Sequence, residues 1–247
     1  MMEEDSKTNQ NDKDQQEFDW PPLESNPEVL TDYLHQIGLA PAYAIGEVFG
    51  FDEELLAFLP QPIYGVIVAL ERLEDGEKSK QGDSSYPIPF YMKQTESLDN
   101  ACGIVACLHA ILNNNNSTNN SMIRPDSVLS QFQAATAHQA PAERARALED
   151  DRAFRTVHKK FALQGQSAAI TSDQSRVRHH YVAFVVVRNN NNGRDQLVEL
   201  DGTKQGPHVV EDNCSDVLRG TIAAIRKRLA EGKISEQLSM MTLHACG

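Results

Sequence analysis

Cys102 has the sequence context of a nucleophilic thiol. Asp99 or Asn100 is placed to cap a helix that we predict to run to about Asn113, so Cys102 falls in its first turn. Backbone N–H groups are unpaired there and the helix dipole is positive, which favours thiolate over thiol. Gly103 follows and leaves room for a substrate beside the sulfur. The alternative is a packed core cysteine, because free cysteines are among the most buried residues.

A nucleophilic cysteine needs a base, and the base needs an orienting group. His109 is the nearest histidine along the chain, but it lies about 10 Å further along the same helix at 1.5 Å per residue. It cannot reach Cys102, and we therefore interpret His109 as structural. Cys107 points to a different side of the helix, and we expect it in the core.

A predicted hairpin offers a better base. The strands Tyr181–Val187 and Gln196–Leu200 flank an Asn-rich turn centred near residues 190–191. The numbers of two residues that face each other across this hairpin should therefore sum to about 381. This register places His180 opposite Asp201, with Cβ atoms about 4.5–5.5 Å apart. A one-residue slip would bring His179 to the cleft instead, so two histidines remain candidates. A surface pair without a catalytic role is the alternative.

Other elements follow from apolar spacing and from capping signals. Asn26 and Pro27 begin a helix whose apolar residues recur at helical spacing until Gly38. We further predict a short helix at Asp52–Leu59, a buried strand at Pro62–Leu70, a helix from Pro141, a helix at Asp216–Glu231 and a last strand at Leu238–Leu243. The helix of Cys102 has no wide polar face, which indicates a central, buried position. Residues 150–178 show no sustained period and are interpreted as a long loop, with at most one helical turn near Thr156–Leu163.

Composition disfavours several classes of protein. The chain has 247 residues, 40% of them apolar, and a formal charge of −12, which argues against general nucleic-acid binding. The longest apolar run, Ile63–Leu70, is far shorter than the roughly 20 residues that span a membrane. The N-terminus lacks the apolar core of a secretory signal, and the four cysteines have neither zinc spacing nor the density of a disulfide scaffold. We expect free thiols and a location in the cytoplasm, or also in the nucleus.

Residues 1–19 form a polar tail. They hold seven acidic residues and two lysines, a net charge of −5 out of the total of −12. Such a segment has too little apolar surface to offset the entropy of ordering it, so we predict a disordered acidic tail. The folded part should be a single domain over residues 20–247.

Several blocks in a consistent order resemble the ubiquitin C-terminal hydrolases, which are papain-like cysteine peptidases. The most specific is YMKQTESLDNACGIVACLHAILNN, residues 91–114. The others are WPPLESNP at 20–27, PAERARALED at 141–150, HYVA at 180–183 and ELDG at 199–202. The resemblance covers most of the chain from Trp20 onward.

The resemblance implies an α/β fold of papain-like cysteine peptidase architecture. A central, largely antiparallel sheet is flanked by helices, and residues 150–178 match by position a crossover loop beneath which the substrate's tail threads. The implied function is a deubiquitinating thiol hydrolase that cleaves small adducts or short peptides from the C-terminal glycine of ubiquitin. The implied partner is ubiquitin or a ubiquitin-like protein, with no metal or organic cofactor, no nucleic acid and no membrane. Because the chain ends right after the peptidase unit, we expect a monomer.

The resemblance also implies residue roles. Cys102 would be the nucleophile, His180 rather than His179 the base, and Asp201 the orienting acid. The Gln94 side chain and the Cys102 backbone N–H would hold the oxyanion. The residues that would line the ubiquitin groove are Leu23, Glu24, Ser25 and Asn26. Family members usually place the glutamine six residues before the cysteine, but here the two are eight apart. The alternative function is therefore a non-catalytic ubiquitin-binding module, in which the two-residue insertion displaces Gln94.

Overall fold

A six-stranded sheet positions the candidate catalytic residues. The computed structural model describes residues 18, 20–72, 82–114, 121–162, 179–188 and 193–246. The strands are β1 Tyr43–Glu47, β2 Ile63–Arg72, β3 His179–Arg188, β4 Asp195–Leu200, β5 His208–Asp212 and β6 Ile234–Ala245. They lie in the order β1-β6-β2-β3-β4-β5, and every neighbouring pair is antiparallel. The predicted α/β fold with a largely antiparallel sheet is confirmed.

Helices cover both faces of this sheet. They are α1 Pro27–Ile37, α2 Glu53–Leu56, α3 Cys102–Leu112, α4 Val128–Thr136, α5 Pro141–Asp150, α6 Arg152–Ala162 and α7 Val217–Ala230. Along β3, Ala183 and Val185 pack into the cluster that contains α3, whereas Val182 and Phe184 pack into the cluster that contains α7. This alternation explains the continuous apolar run of β3, because both of its faces are buried. Among the helices of the described residues, none has the length and hydropathy that crossing a bilayer requires.

The central helix α3 is buried as predicted. Every residue of α3 except Gly103 is buried. On the sheet, a Cβ at Gly65 of β2 would lie 3.2 Å from the Cβ of Ala110, so the small residue allows the close approach of α3. The predicted side-chain caps are wrong: a 3₁₀ helix at Glu96–Ala101 runs directly into α3, and no side chain caps it. The chain thus enters α3 already coiled.

Helix α6 corrects the prediction of a loop over residues 150–178. Its buried side chains are Phe154, His158 and Phe161, which have helical spacing once the histidine is counted with the core. The His158 Nε2 donates to the carbonyl oxygen of Pro21 at 2.7 Å, and its ring packs edge-on against Trp20. Because histidine is a polar residue type, His158 does not stand out as a core position, and the helical period of α6 is not apparent in the sequence. The rest of the predicted crossover loop, residues 163–178, and residues 1–17 and 19 of the predicted tail lie outside the described residues.

Helix α1 begins and ends as predicted. The Asn26 Oδ1 accepts hydrogen bonds from the backbone N–H groups of Glu28 at 2.9 Å and Val29 at 3.3 Å, and Pro27 is the first helical residue. Gly38 ends the helix with a φ of 133°, in the region that favours glycine. The strands β1 and β5 and the helix α4 were not predicted from the sequence.

We expect Asn26→Ala to lower the free energy of unfolding by about 1 kcal/mol, because two N–H groups at the start of α1 lose their acceptor. Asn26→Asp retains an acceptor at the same place and should keep most of the stability. Urea unfolding of both variants checks this. Equal stability of Asn26→Ala and the wild type would contradict a capping role.

Candidate active site

A short hydrogen bond joins His180 to Asp201. The His180 Nε2 lies 2.7 Å from the Asp201 Oδ1; the carboxylate is wholly buried and the imidazole is 16% exposed. Because a carboxylate only accepts, Nε2 carries the proton and Nδ1 is the basic nitrogen of the neutral ring. The imidazole is therefore held in one orientation and one tautomer.

The β3–β4 register explains how this pair meets. The last residues that pair are Ala183 and Leu200, and their residue numbers sum to 383 rather than to the expected 381. Asp201 therefore lies beyond the end of β4 and approaches His180 diagonally. A shift of two residues preserves the face on which each side chain lies, since the side-chain period of a strand is two. The expected register was wrong by two residues, but the two residues that it brought together, His180 and Asp201, do form a hydrogen bond.

Cys102 is the first residue of α3 and is 7% exposed. The next residue, Gly103, faces the ring of Tyr181, since a Cβ at this glycine would lie 3.7 Å from the ring Cδ2. Tyr181 directly follows His180 on β3. The start of α3 and the start of β3 therefore meet, each carrying one of the candidate catalytic groups.

Gln94 is tied to the loop of Asp201 and to the entry of α3. Its backbone N–H donates to the carbonyl oxygen of Gly202 at 2.9 Å, and a Cβ on Gly202 would lie only 2.9 Å from that of Gln94. The Gln94 Nε2 donates to the carbonyl oxygen of Asp99 at 3.0 Å. Glu96–Ala101 form the 3₁₀ helix between Gln94 and Cys102, so the amide is bonded to a residue three positions before Cys102.

Buried charges support the segment that follows β4. The Glu199 carboxylate is 1% exposed and contacts the Lys204 Nζ at 2.8 Å and the Arg228 guanidinium at 2.7 Å. Burial alone would raise the pKa of Glu199, but Arg228 and Lys204 together lower it to about 2. The Tyr91 hydroxyl lies 2.7 Å from the Asp201 carbonyl oxygen and 2.8 Å from that of Lys204. Sequence reasoning missed Lys204 and Arg228, because their role depends on contacts between distant elements.

His109 and Cys107 are structural, as predicted. The His109 Nε2 accepts the backbone N–H of Met92 at 3.1 Å, and its ring stacks on Tyr91 at 5.2 Å between centroids. Burial lowers the pKa of His109 to about 4, so it is neutral at physiological pH. Burial likewise raises the pKa of Cys107 to about 12, which removes it as a nucleophile. Within the described residues, no cluster of His, Cys, Asp or Glu is arranged to hold a metal ion.

The segment Leu23–Asn26 borders the site. The Ser25 Oγ lies 3.1 Å from the Ser239 Oγ of β6, and Ser25 is near enough to Tyr181 to oppose the rise that burial causes in the pKa of that phenol. Leu23 packs against the core, and the carbonyl of Glu24 accepts the Asn26 N–H at 2.8 Å. The Asn26 side chain caps α1, so its first role is structural. Substrate contact by these four residues stays a prediction.

Comparisons with known proteins match a family over most of the chain. The family model for ubiquitin carboxyl-terminal hydrolase, family 1, matches residues 20–230. A ubiquitin carboxyl-terminal hydrolase of Drosophila melanogaster is 36% identical over 197 residues, which cover 76% of this chain and 80% of that protein. One of Aplysia californica is 34% identical over 215 residues, which cover 85% of this chain and 94% of that protein.

A solved structure shares the fold. The chain superposes on the catalytic domain of Trichinella spiralis UCH37, solved with ubiquitin vinyl methyl ester, with a TM-score of 0.72. The match covers 92% of this chain and 96% of that chain at 24% identity. At this level of identity the likeness establishes the architecture of the fold.

Proposed function

The chain belongs to family 1 of the ubiquitin carboxyl-terminal hydrolases, and from that premise we propose that it cleaves small adducts or short peptides from the C-terminal glycine of ubiquitin. It is a cysteine-type deubiquitinating hydrolase. The observation that carries the proposed mechanism is the buried His180–Asp201 hydrogen bond at the start of β3, where β3 meets the first turn of α3.

The proposed reaction is nucleophilic catalysis by Cys102. The His180 Nδ1 takes the thiol proton, and the sulfur attacks the carbonyl carbon of the last ubiquitin residue. When the tetrahedral intermediate collapses, His180 returns that proton to the leaving amine and a thioester remains. Water, deprotonated by His180, then hydrolyses the thioester and restores the thiol. Asp201 keeps the imidazole oriented and stabilises its protonated form.

Gln94 would donate to the oxyanion together with the backbone N–H of Cys102. This role is supported by the 3₁₀ helix, which takes up the two additional residues and leaves the amide within 3.0 Å of the Asp99 carbonyl oxygen. A non-catalytic binding module is therefore the less favoured alternative. A bound substrate would replace that carbonyl as acceptor.

A protein substrate needs a docking surface besides the cleft, and an exposed apolar patch lies at the same end of the sheet as His180. We define the patch by Phe49, Leu55 and Phe58, which are 80%, 43% and 85% exposed. Large exposed apolar groups of this kind mark interaction surfaces. The Val48 N–H bonds to Met240 of β6, which pairs with Val68 of β2, which in turn pairs with Val182 of β3. His180 lies two residues before Val182. Three strand spacings, or about 14 Å, therefore separate Val48 from the strand of His180.

The patch suits a partner with an apolar surface and a basic rim. Leu55 links its members: a Cβ at Gly50, next to Phe49, would lie 2.7 Å from the Leu55 side chain, and the Phe58 N–H donates to the Leu55 carbonyl oxygen at 3.3 Å. Exposed acidic side chains flank them, namely Asp52, Glu53 and Glu54, of which Glu53 is paired with Arg219. We propose that ubiquitin, or a ubiquitin-like protein, docks its body here while its tail reaches Cys102.

We further propose that the protein acts as a monomer in the cytoplasm or nucleus, on a protein partner rather than on nucleic acid or a membrane. The four free cysteines are compatible with a reducing compartment. The net charge of −12 disfavours a polyanionic partner. Acidic residues 1–19 and the folded domain 20–247 remain our proposed division of the chain.

Ubiquitin with a fluorogenic amide at its C-terminus tests the function directly. We expect turnover by the wild type and a loss on the order of 10⁴-fold or more for Cys102→Ala, because no other group can form the thioester. Cys107→Ala on the same helix is the matched control and should keep kcat. Turnover by Cys102→Ala would refute the mechanism, and ubiquitin binding without turnover by the wild type would favour the binding module.

Gln94→Ala should lower kcat by roughly 10²–10³-fold with little change in KM, because it removes one oxyanion donor. Gln94→Glu retains the size but loses the donor, so it should be at least as impaired. Gln139→Ala is the control for loss of an amide elsewhere. Steady-state kinetics on the same substrate check this, and an unimpaired Gln94→Ala would show that the insertion has removed Gln94 from catalysis.

The double variant Phe49→Ser with Phe58→Ser should raise KM for the ubiquitin substrate about 10-fold with kcat unchanged, since buried aromatic side chains dominate protein interfaces. The rate at which iodoacetamide alkylates Cys102 should not change, because that reagent needs no docking surface. An unchanged KM, with unfolding as in the wild type, would mean that the substrate docks elsewhere.

A further inference from the structure

Three hydrogen-bond donors converge on one oxygen of Asp201. They are the His180 Nε2 at 2.7 Å, the Thr203 Oγ1 at 2.7 Å and the Thr203 backbone N–H at 3.0 Å, all directed at Oδ1. Because a carboxylate accepts only, the Thr203 hydroxyl is the donor. Thr203 thus supplies two of these bonds, one from its side chain and one from its backbone.

We propose that Thr203 is a positioning residue, which holds the Asp201 carboxylate at the angle that His180 requires. This inference rests on the proposed function, since it assigns Thr203 a role in the same reaction. The terminal torsion of an aspartate side chain is broad and has no steep staggered wells of its own. A second fixed donor on Oδ1 restricts this torsion of Asp201. It thereby also fixes the direction in which Oδ1 accepts the Nε2–H of His180.

The chemistry of threonine suits this role. Its branched Cβ restricts the side-chain rotamer, so the hydroxyl direction follows from the backbone. The backbone of Thr203 is itself tied to Oδ1 through its N–H, so both contacts move as one unit. A carboxylate that is already bonded twice offers the imidazole a fixed site rather than a mobile one.

The turn around Thr203 is held by bonds in which its hydroxyl takes no part. The Lys204 N–H donates to the Asp201 carbonyl oxygen at 2.9 Å, and the Tyr91 hydroxyl contacts the carbonyl oxygens of both residues. The Lys204 Nζ is paired with Glu199 at 2.8 Å. Replacing the hydroxyl should therefore leave these bonds of the turn in place while the carboxylate loses one of its donors.

The test is steady-state turnover of ubiquitin carrying a C-terminal fluorogenic amide. Thr203→Val keeps the branched shape without the hydroxyl, and we expect kcat to fall about 10- to 100-fold with KM unchanged, as for other residues that orient a functional side chain. Thr203→Ser restores the hydroxyl and should recover most of kcat. Thr203→Ala is a second variant without the hydroxyl, used should the valine fail to fold.

A matched control separates positioning from stability. The Thr221 hydroxyl donates to the Val217 carbonyl oxygen at 2.6 Å inside α7, so Thr221→Val removes a buried hydroxyl bond of the same kind away from the site. It should lower stability but keep kcat. A wild-type kcat for Thr203→Val or Thr203→Ala would overturn the inference, as would a Thr203→Ser variant as slow as these two. Failure of the proposed function itself would be distinct, because the wild type would then show no Cys102-dependent turnover.

Discussion

A helix without a polar face is stable only when all of its sides are covered, and α3 is such a helix. β2 and β3 cover one side of it, and α1, α4, α5 and α6 contribute to the same core cluster. Burial on all sides leaves the end of the helix as the part that a substrate can approach. Because Cys102 is its first residue, the thiol lies at that end, where the helix dipole is positive. The demand for burial therefore determines where the proposed nucleophile lies.

Asp201, the proposed orienting acid, is held by a different kind of interaction. Asp201 follows β4 in a turn whose carbonyl groups contact Tyr91, and the adjacent buried carboxylate of Glu199 is neutralised by Lys204 and Arg228. Removing one partner of a buried ion pair leaves an uncompensated charge, which commonly destabilises a protein by about 3–5 kcal/mol. The turn thus has few low-energy alternatives, and Asp201 stays at the angle in which it bonds His180. Apolar burial positions the Cys102 sulfur, and buried charge positions the carboxylate of Asp201.

Local signals predicted much of this site, because they act within a few residues. The Asn26 cap and the apolar pattern of α3 were readable from the chain, whereas the period of α6 was hidden by the buried polar side chain of His158. The register of β3 and β4 was missed by two residues, since sequence alone does not show how many residues a turn takes up. The surroundings of Gln94 could not be predicted from sequence, because they depend on how the segment before Cys102 coils into the 3₁₀ helix.

The internal hydrogen bond of Gln94 bears on how an oxyanion donor would favour the transition state. In the free protein its amide N–H donates to a neutral carbonyl, that of Asp99. A substrate carbonyl that took the place of that acceptor would exchange one neutral bond for another and gain little. An oxyanion is charged, and a hydrogen bond to a charged acceptor is roughly twice as strong as a neutral one. The exchange would therefore become favourable as charge develops, which is the differential stabilisation that lowers a barrier without tightening substrate binding.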